Sequence, residues 1–116
     1  MGYRIDFSVG GGVLSATISG AAGLAGHIAR DISDQARASS VQHVLIDVRR
    51  LKSRFGRLRT LLASHDAPRR IAVLDSWEND SHYVFLELAA RSLGCELRRF
   101  DHRAEALEWL SAPEAA

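Results

Sequence analysis

The side chains best suited to ligating a metal or moving a proton lie where the sequence pattern leaves its strands. They are Asp47, Asp75, Glu78, Asp80, His82, Asp101 and His102. Carboxylates and imidazoles gathered in one place are the material of a divalent-metal site or of general acid–base catalysis. Their spacing matches no such device: there is no H-E-x-x-H and no carboxylate pair at a diagnostic separation. Loop acids also cap helices and pair with nearby bases, and they need no catalytic role to be present. Ser15, Ser53, Ser76 and Ser81 lie outside any G-x-S-x-G elbow, so no Ser–His–acid trio follows from spacing. Cys95 is the only cysteine, which excludes an intramolecular disulfide and a multi-cysteine metal site. Its Gly-Cys-Glu-Leu setting predicts a buried, inert thiol at the start of a strand. No catalytic residue, metal site or cofactor is assigned.

The strongest chemical signal is charge. Arg49, Arg50, Lys52, Arg54, Arg57 and Arg59 place six cations within eleven residues, with no acid until Asp66. Three uses fit such a run. It can be a solvated surface, which is what charge runs usually are. It can dock an acidic protein partner and speed association with it. It can hold an anion with arginine side chains and the amides of a following helix. Nucleic acid fits less well, because few aromatic residues are interleaved for base stacking. Ser53 sits inside the run, and Trp77 is a lone aromatic in a polar loop, suited either to anchoring a partner or to folding back over the sheet edge. The candidate partner- or anion-binding set is therefore Arg49, Arg50, Lys52, Ser53, Arg54, Arg57 and Trp77.

The elements that must position these residues can be read from periodicity. Tyr3–Val9 alternates apolar and polar, and 13–19 is a second β-rich stretch. Gly10-Gly11-Gly12 between them predicts a hairpin with antiparallel strands. Gly20, Gly23 and Gly26 follow, but they match neither G-x-G-x-x-G nor the phosphate loop G-x-x-x-x-G-K-[ST]. A helix over about 22–38 carries Leu24, Ile28 and Ile32 on one face, with Ala25, Ala29 and Ala36. Val44-Leu45-Ile46 is a continuous apolar run, as in a strand covered on both sides, and predicts a strand over 43–49 inside the sheet. The basic stretch leads from it into a helix at about 56–64, which Ala67-Pro68 ends. Ile71–Leu74 is another buried strand. Val84, Phe85, Leu88, Ala89 and Leu93 carry a further helix, closed by Gly94. Residues 95–100 form a charged last strand suited to an edge. Asp101 or His102 caps the final helix, with Ala104, Leu107 and Leu110 inward and Trp109 alongside.

The order is β-β-α-β-α-β-α-β-α. It predicts an α/β fold with a five-stranded mixed sheet, the first strand antiparallel to the rest. In such sheets ligands gather at the carboxyl ends of the strands, which is where the basic stretch falls. A chain of 116 residues makes one domain, taken as 1–116. Hydrophobic residues at 47%, charged residues at 25% and a net charge of +1 are ordinary for a globular chain, and argue neither for nor against nucleic acid. No apolar run approaches the ~18–20 residues a bilayer requires, and the N-terminus lacks the pattern of a signal peptide. A cytoplasmic protein with no membrane insertion is expected.

The N-terminal hairpin, the following helix, the V-L-I-D at 44–47 and the closing Glu105-Ala106-Leu107-Glu108-Trp109-Leu110 resemble the SpoIIAA-like branch of the STAS superfamily. The likeness covers residues 3–111. It implies a non-catalytic regulatory module that binds a protein partner, with a homodimer also compatible. A small-molecule binder at the same edge, for an apolar or anionic ligand, is the alternative, and an enzyme is third. Anti-sigma-factor antagonists of the superfamily share a D-S-[SG]-G-like turn whose Ser is phosphorylated. Here the turn reads Ser53-Arg54-Phe55-Gly56. Aligned on Gly56, Arg54 occupies the acceptor position and Ser53 that of the Asp. Ser53 is thus not expected to be a phosphoswitch: incubation with host lysate and ATP should leave it without stoichiometric phosphate by mass spectrometry.

Overall fold

The computed structural model describes residues 3–20, 25–51, 69–75 and 80–112. Within them lie strands β1 (Tyr3–Gly10), β2 (Val13–Gly20), β3 (His43–Leu51), β4 (Arg70–Leu74) and β5 (Glu96–Phe100). The helices are α1 (Ala25–Ala38), α2 (Asp80–Ser92) and α3 (Arg103–Ser111). The strands form one sheet in the order β1-β2-β3-β4-β5. β1 pairs antiparallel with β2, and the remaining pairs are parallel. The α/β class, the five-stranded mixed sheet, the antiparallel first strand and the central place of the 43–49 segment agree with the sequence. The helix expected at 56–64 lies outside the described residues.

The hairpin closes through Gly11 and Gly12, whose φ values of 60° and 77° lie in the left-handed region that a two-residue turn of this hand needs. Gly94, at φ 80°, ends the segment after α2: the Cys95 N–H reaches back to the Ala90 carbonyl at 2.9 Å, the bond of a left-handed helix stop.

β2, β3, β4 and β5 advance across the sheet one place at a time, so crossovers of one hand put their helices on one face. Accordingly Ile32 and Ala36 of α1 and Ala90 of α2 share a core with Leu14, Ala16, Ile18, Val44, Ile46, Val48, Ile71 and Val73. The alternate residues point the other way. Val13, Leu45, Ala72 and Leu74 pack with Ala106 and Leu110 of α3. The uninterrupted apolar runs of β3 and β4 follow directly, because both faces of those strands are covered.

Two helix faces differ from the periodicity reading. Ala106, not Ala104, lies inside with Leu110, and Ala104 is exposed; residues 106 and 110 are one turn apart, whereas 104 sits about 200° round the helix from 106. On α2, Val84 and Leu88 are 48% and 58% exposed, and Leu93 beyond the helix is also exposed. Among the described side chains of α2 the buried one is the small Ala90, about 200° round the helix from Leu88; that of Phe85 lies outside the described ones.

α3 is only nine residues long, and a side chain from the sheet anchors its end. Arg70 is 3% exposed. Its Nη1 donates to the carbonyls of Trp109, at 2.9 Å, and Ala112, at 2.7 Å. Its guanidinium lies 5.3 Å from the centre of the Trp109 ring, and its Nε is 3.9 Å from Glu96 Oε2. Arg98 stacks near both Trp109 and Phe100. A cation here meets the negative end of the helix dipole, the last carbonyls and an aromatic face together. Arg70→Ala should therefore cost about 2–4 kcal/mol, as expected when buried carbonyls lose charged donors, read as a lower urea midpoint.

Candidate functional site

The parallel strands deliver their carboxyl ends to one edge. There Asp47, Arg49 and Arg50 come from β3, Asp75 follows β4, Arg99 and Asp101 come from the end of β5, and His102 and Arg103 open α3. The ladder between β2 and β3 is irregular at this point: Thr17 partners Asp47, but Ser19 partners Arg50. β3 therefore spends one more residue than β2 over the same step. Irregularities of this kind re-aim side chains next to sites. The strand itself runs on to Leu51, so Arg49 and Arg50 are strand residues rather than part of the loop.

Asp47 organises the edge. Leu45, two residues back, packs on the α3 face, and strand alternation puts Asp47 on that face too. Its residue is 7% exposed. Arg49 chelates it, with Nε 3.0 Å from Oδ1 and Nη2 2.8 Å from Oδ2. The Arg49 backbone N–H also donates to Oδ1 at 3.1 Å. Burial is the largest single influence on the carboxyl and pushes its pKa up. The Arg49 side-chain and backbone hydrogen bonds, with the charges of Arg49 and Arg103, outweigh it and hold the pKa below the ordinary value. Arg49 is correspondingly raised, chiefly by its hydrogen bond to Asp47. Arg103, the first residue of α3, reaches β2, its Nη2 3.2 Å from Ser15 Oγ. On the far side, Arg99 Nη1 bonds Asp101 Oδ1 at 2.8 Å and the Asp75 carbonyl at 3.1 Å.

Of the candidate residues, Arg49 and Arg50 are therefore adjacent at the end of the central strand, both exposed, and Arg49 is committed to Asp47. Lys52, Ser53, Arg54, Arg57 and Trp77 lie outside the described residues, as do Arg59 and Glu78. Asp47, Asp75, Asp101 and His102 share the edge, but no three His, Cys, Asp or Glu side chains converge on a metal-sized site among the described residues. His102 is the N-cap of α3 without a side-chain capping bond. Cys95 is buried, and burial first, then the Glu96 charge, pushes its thiol up to about 11. Such a thiol is a poor nucleophile at neutral pH.

Two clefts formed by described residues lie elsewhere. One, of about 180 Å³, flanks β5 among Arg91, Cys95, Arg98 and Trp109. The other, of about 390 Å³, is open at the opposite edge near Gly12, His43 and Ser111. Arg70 and Arg103 carried no signal in the sequence, and Ser15 figured there only as a serine outside any nucleophile motif. Arg70 merely precedes an apolar run, and the other two meet only through folding, 88 positions apart.

No protein-family model and no curated protein matches the chain in sequence. Solved structures match it in shape. An anti-sigma factor antagonist from Mycobacterium paratuberculosis superposes with a TM-score of 0.65 at 15% identity, covering 96% of each chain. The fold is SpoIIAA-like. An uncharacterised DUF3478 protein with a SpoIIAA-like fold, from Shewanella loihica PV-4, superposes with a TM-score of 0.54 at 19% identity, covering 94% of this chain and 93% of its own. The likeness covers 96% and 94% of this chain, so the edge described above is the carboxyl edge of that fold.

A depressed carboxyl pKa ties stability to pH. The folded Asp47 holds its proton less tightly than the unfolded one, so its contribution is present above the unfolded pKa of about 3.9 and is lost as pH falls through the lower folded value. Asp47→Asn should therefore be less stable than the native chain by about 1–2 kcal/mol at pH 7. In urea titrations the gap should narrow as pH falls below about 4.

Proposed function

We propose that this chain is a non-catalytic regulatory module that docks an acidic protein partner through the carboxyl edge of its sheet. The observation that carries the reading is the run of six cations in eleven residues, 49–59, which begins in the last residues of the strand at the centre of the sheet. Like charges so close repel, and a surface kept only for solubility more commonly intersperses both signs. Two acids of the edge are already engaged: Asp47 by Arg49, and Asp101 by Arg99. The first uses one of the six cations and the second uses none. Arg50 is in neither pair, and together with the cations that follow it in sequence it is the charge proposed to meet a partner. The fold likeness to an anti-sigma factor antagonist supports a protein as that partner. The expected set for contact is Arg50, Lys52, Ser53, Arg54, Arg57 and Trp77, with Arg49 acting through Asp47 to hold the strand end in place.

Electrostatic docking of this kind acts mainly on the association rate and weakens with salt. A tagged chain should capture a partner from host lysate at low salt and lose most of it by about 0.5 M, where screening is nearly complete. Reversing Arg50, Arg54 and Arg57 to Glu should slow association of the captured partner about tenfold or more and leave the melting temperature nearly unchanged. A captured set indifferent to both salt and charge reversal would refute the reading.

A further inference from the structure

We propose that two copies of this chain associate through β1, pairing antiparallel so that Arg4 of one lies opposite Asp6 of the other. This surface is the open side of β1, beside the carboxyl edge proposed above for docking, since Arg4 registers with Ser19 and Ser19 with Arg50. β1 ends the strand order, and among the described residues its ladder is with β2 alone. It is eight residues long and carries neither proline nor bulge, since its register with β2 runs unbroken from Tyr3↔Gly20 to Gly10↔Val13. An edge this long and regular is a template for a further strand unless its side chains repel one. The side chains here do the reverse.

Geometry limits how a second copy can join. The residues flanking a two-residue turn exchange hydrogen bonds, and exchange alternates along the ladder. Gly10 and Val13 flank Gly11–Gly12, so Gly10, Ser8, Asp6 and Arg4 bond inward to β2. Tyr3, Ile5, Phe7 and Val9 turn their N–H and C=O groups to the open edge. A two-fold pairing must match these outward residues with each other. It can be centred on Arg4, Ile5, Asp6 or Phe7. Centring on Arg4 or Asp6 sets like charges face to face, and centring on Phe7 brings no charges together. Centring on Ile5 sets Arg4 against Asp6 twice, in the non-hydrogen-bonded positions where facing side chains are closest.

These two side chains suit that use. They are 77% and 59% exposed, and they already touch within one strand at 3.2 Å. A second copy would convert the pair into a square of four alternating charges. On the opposite face, Ile5 would meet Ile5 of the second copy, continuing the apolar line of Ile5 and Phe7. About six backbone hydrogen bonds would form. A contact of this size falls below the usual ~1,200–2,000 Å² of stable complexes, so the dimer should be weak, concentration-dependent and sensitive to salt.

Sedimentation of the full chain from about 1 µM to 1 mM tests this. The native chain should dimerise, more weakly at high salt. Arg4→Asp places acid against acid in the dimer, and Asp6→Arg places base against base; each variant alone should dimerise at least about tenfold more weakly. Mixed in equal amounts they are complementary, and a heterodimer should form with native-like affinity. Both positions are exposed, so circular dichroism melting should show each variant folded. A native chain that stays monomeric throughout would overturn the proposal. So would a dimer indifferent to Asp6→Arg, or a mixture that stays monomeric.

Discussion

The structure depends on the requirement that β3 and β4 be covered on both faces. Val44, Leu45, Ile46, Ile71, Ala72, Val73 and Leu74 are all fully buried. On one face the crossover helices α1 and α2 cover them as a consequence of parallel topology. On the other, among the described residues, only α3 does so. A helix of nine residues is too short to hold itself in water. Its packing on Leu45, Ala72 and Leu74, and the Arg70 guanidinium at its C-terminal carbonyls, must hold it there.

That short cover explains the chemistry of the sheet around it. Under α3 the apolar Leu45, Ala72 and Leu74 pack, with the cations Arg70 and Arg98 against Trp109; toward β2 and β1 the same face turns polar. On that face Asp47 lies on β3, Ser15 on β2, and Asp6 and Arg4 on β1. Ser15 and Asp47 lie at the margin of the covered zone and are buried there, and buried polar groups require partners. Arg103 supplies one to Ser15, and Arg49 supplies charge and hydrogen bonds to Asp47. The irregular β2–β3 step falls at the same place, where the Asp47 carboxylate also takes up the Arg49 backbone N–H. The edge is thus shaped by an electrostatic need of the strand end. The basic stretch that follows emerges from a fixed point.

Much was legible in the sequence because it is written in local pattern. Tyr3–Val9 alternates, three glycines mark the turn, Val44-Leu45-Ile46 announces a doubly covered strand, and Gly94 marks a helix stop. These signals depend on backbone preference and on period, which neighbours in sequence set. The candidate site was legible only as composition, a cluster of cations after a central strand.

Patterns a few residues long were enough for the class, the succession of strands and helices along the chain and the burial of β3, β4 and Cys95; the order of the strands in the sheet came from the fold. Tertiary structure decided which cations are spent. Arg49 and Asp47 are neighbours in sequence, yet their pairing matters because burial of the carboxylate beside α3 makes a strong partner necessary. Arg70 and Trp109 are 39 positions apart, and Arg103 and Ser15 are 88 apart. No periodicity links such pairs. Only the return of α3 across the sheet brings them within reach, because a hydrogen bond is selected by distance in space and not by separation along the chain.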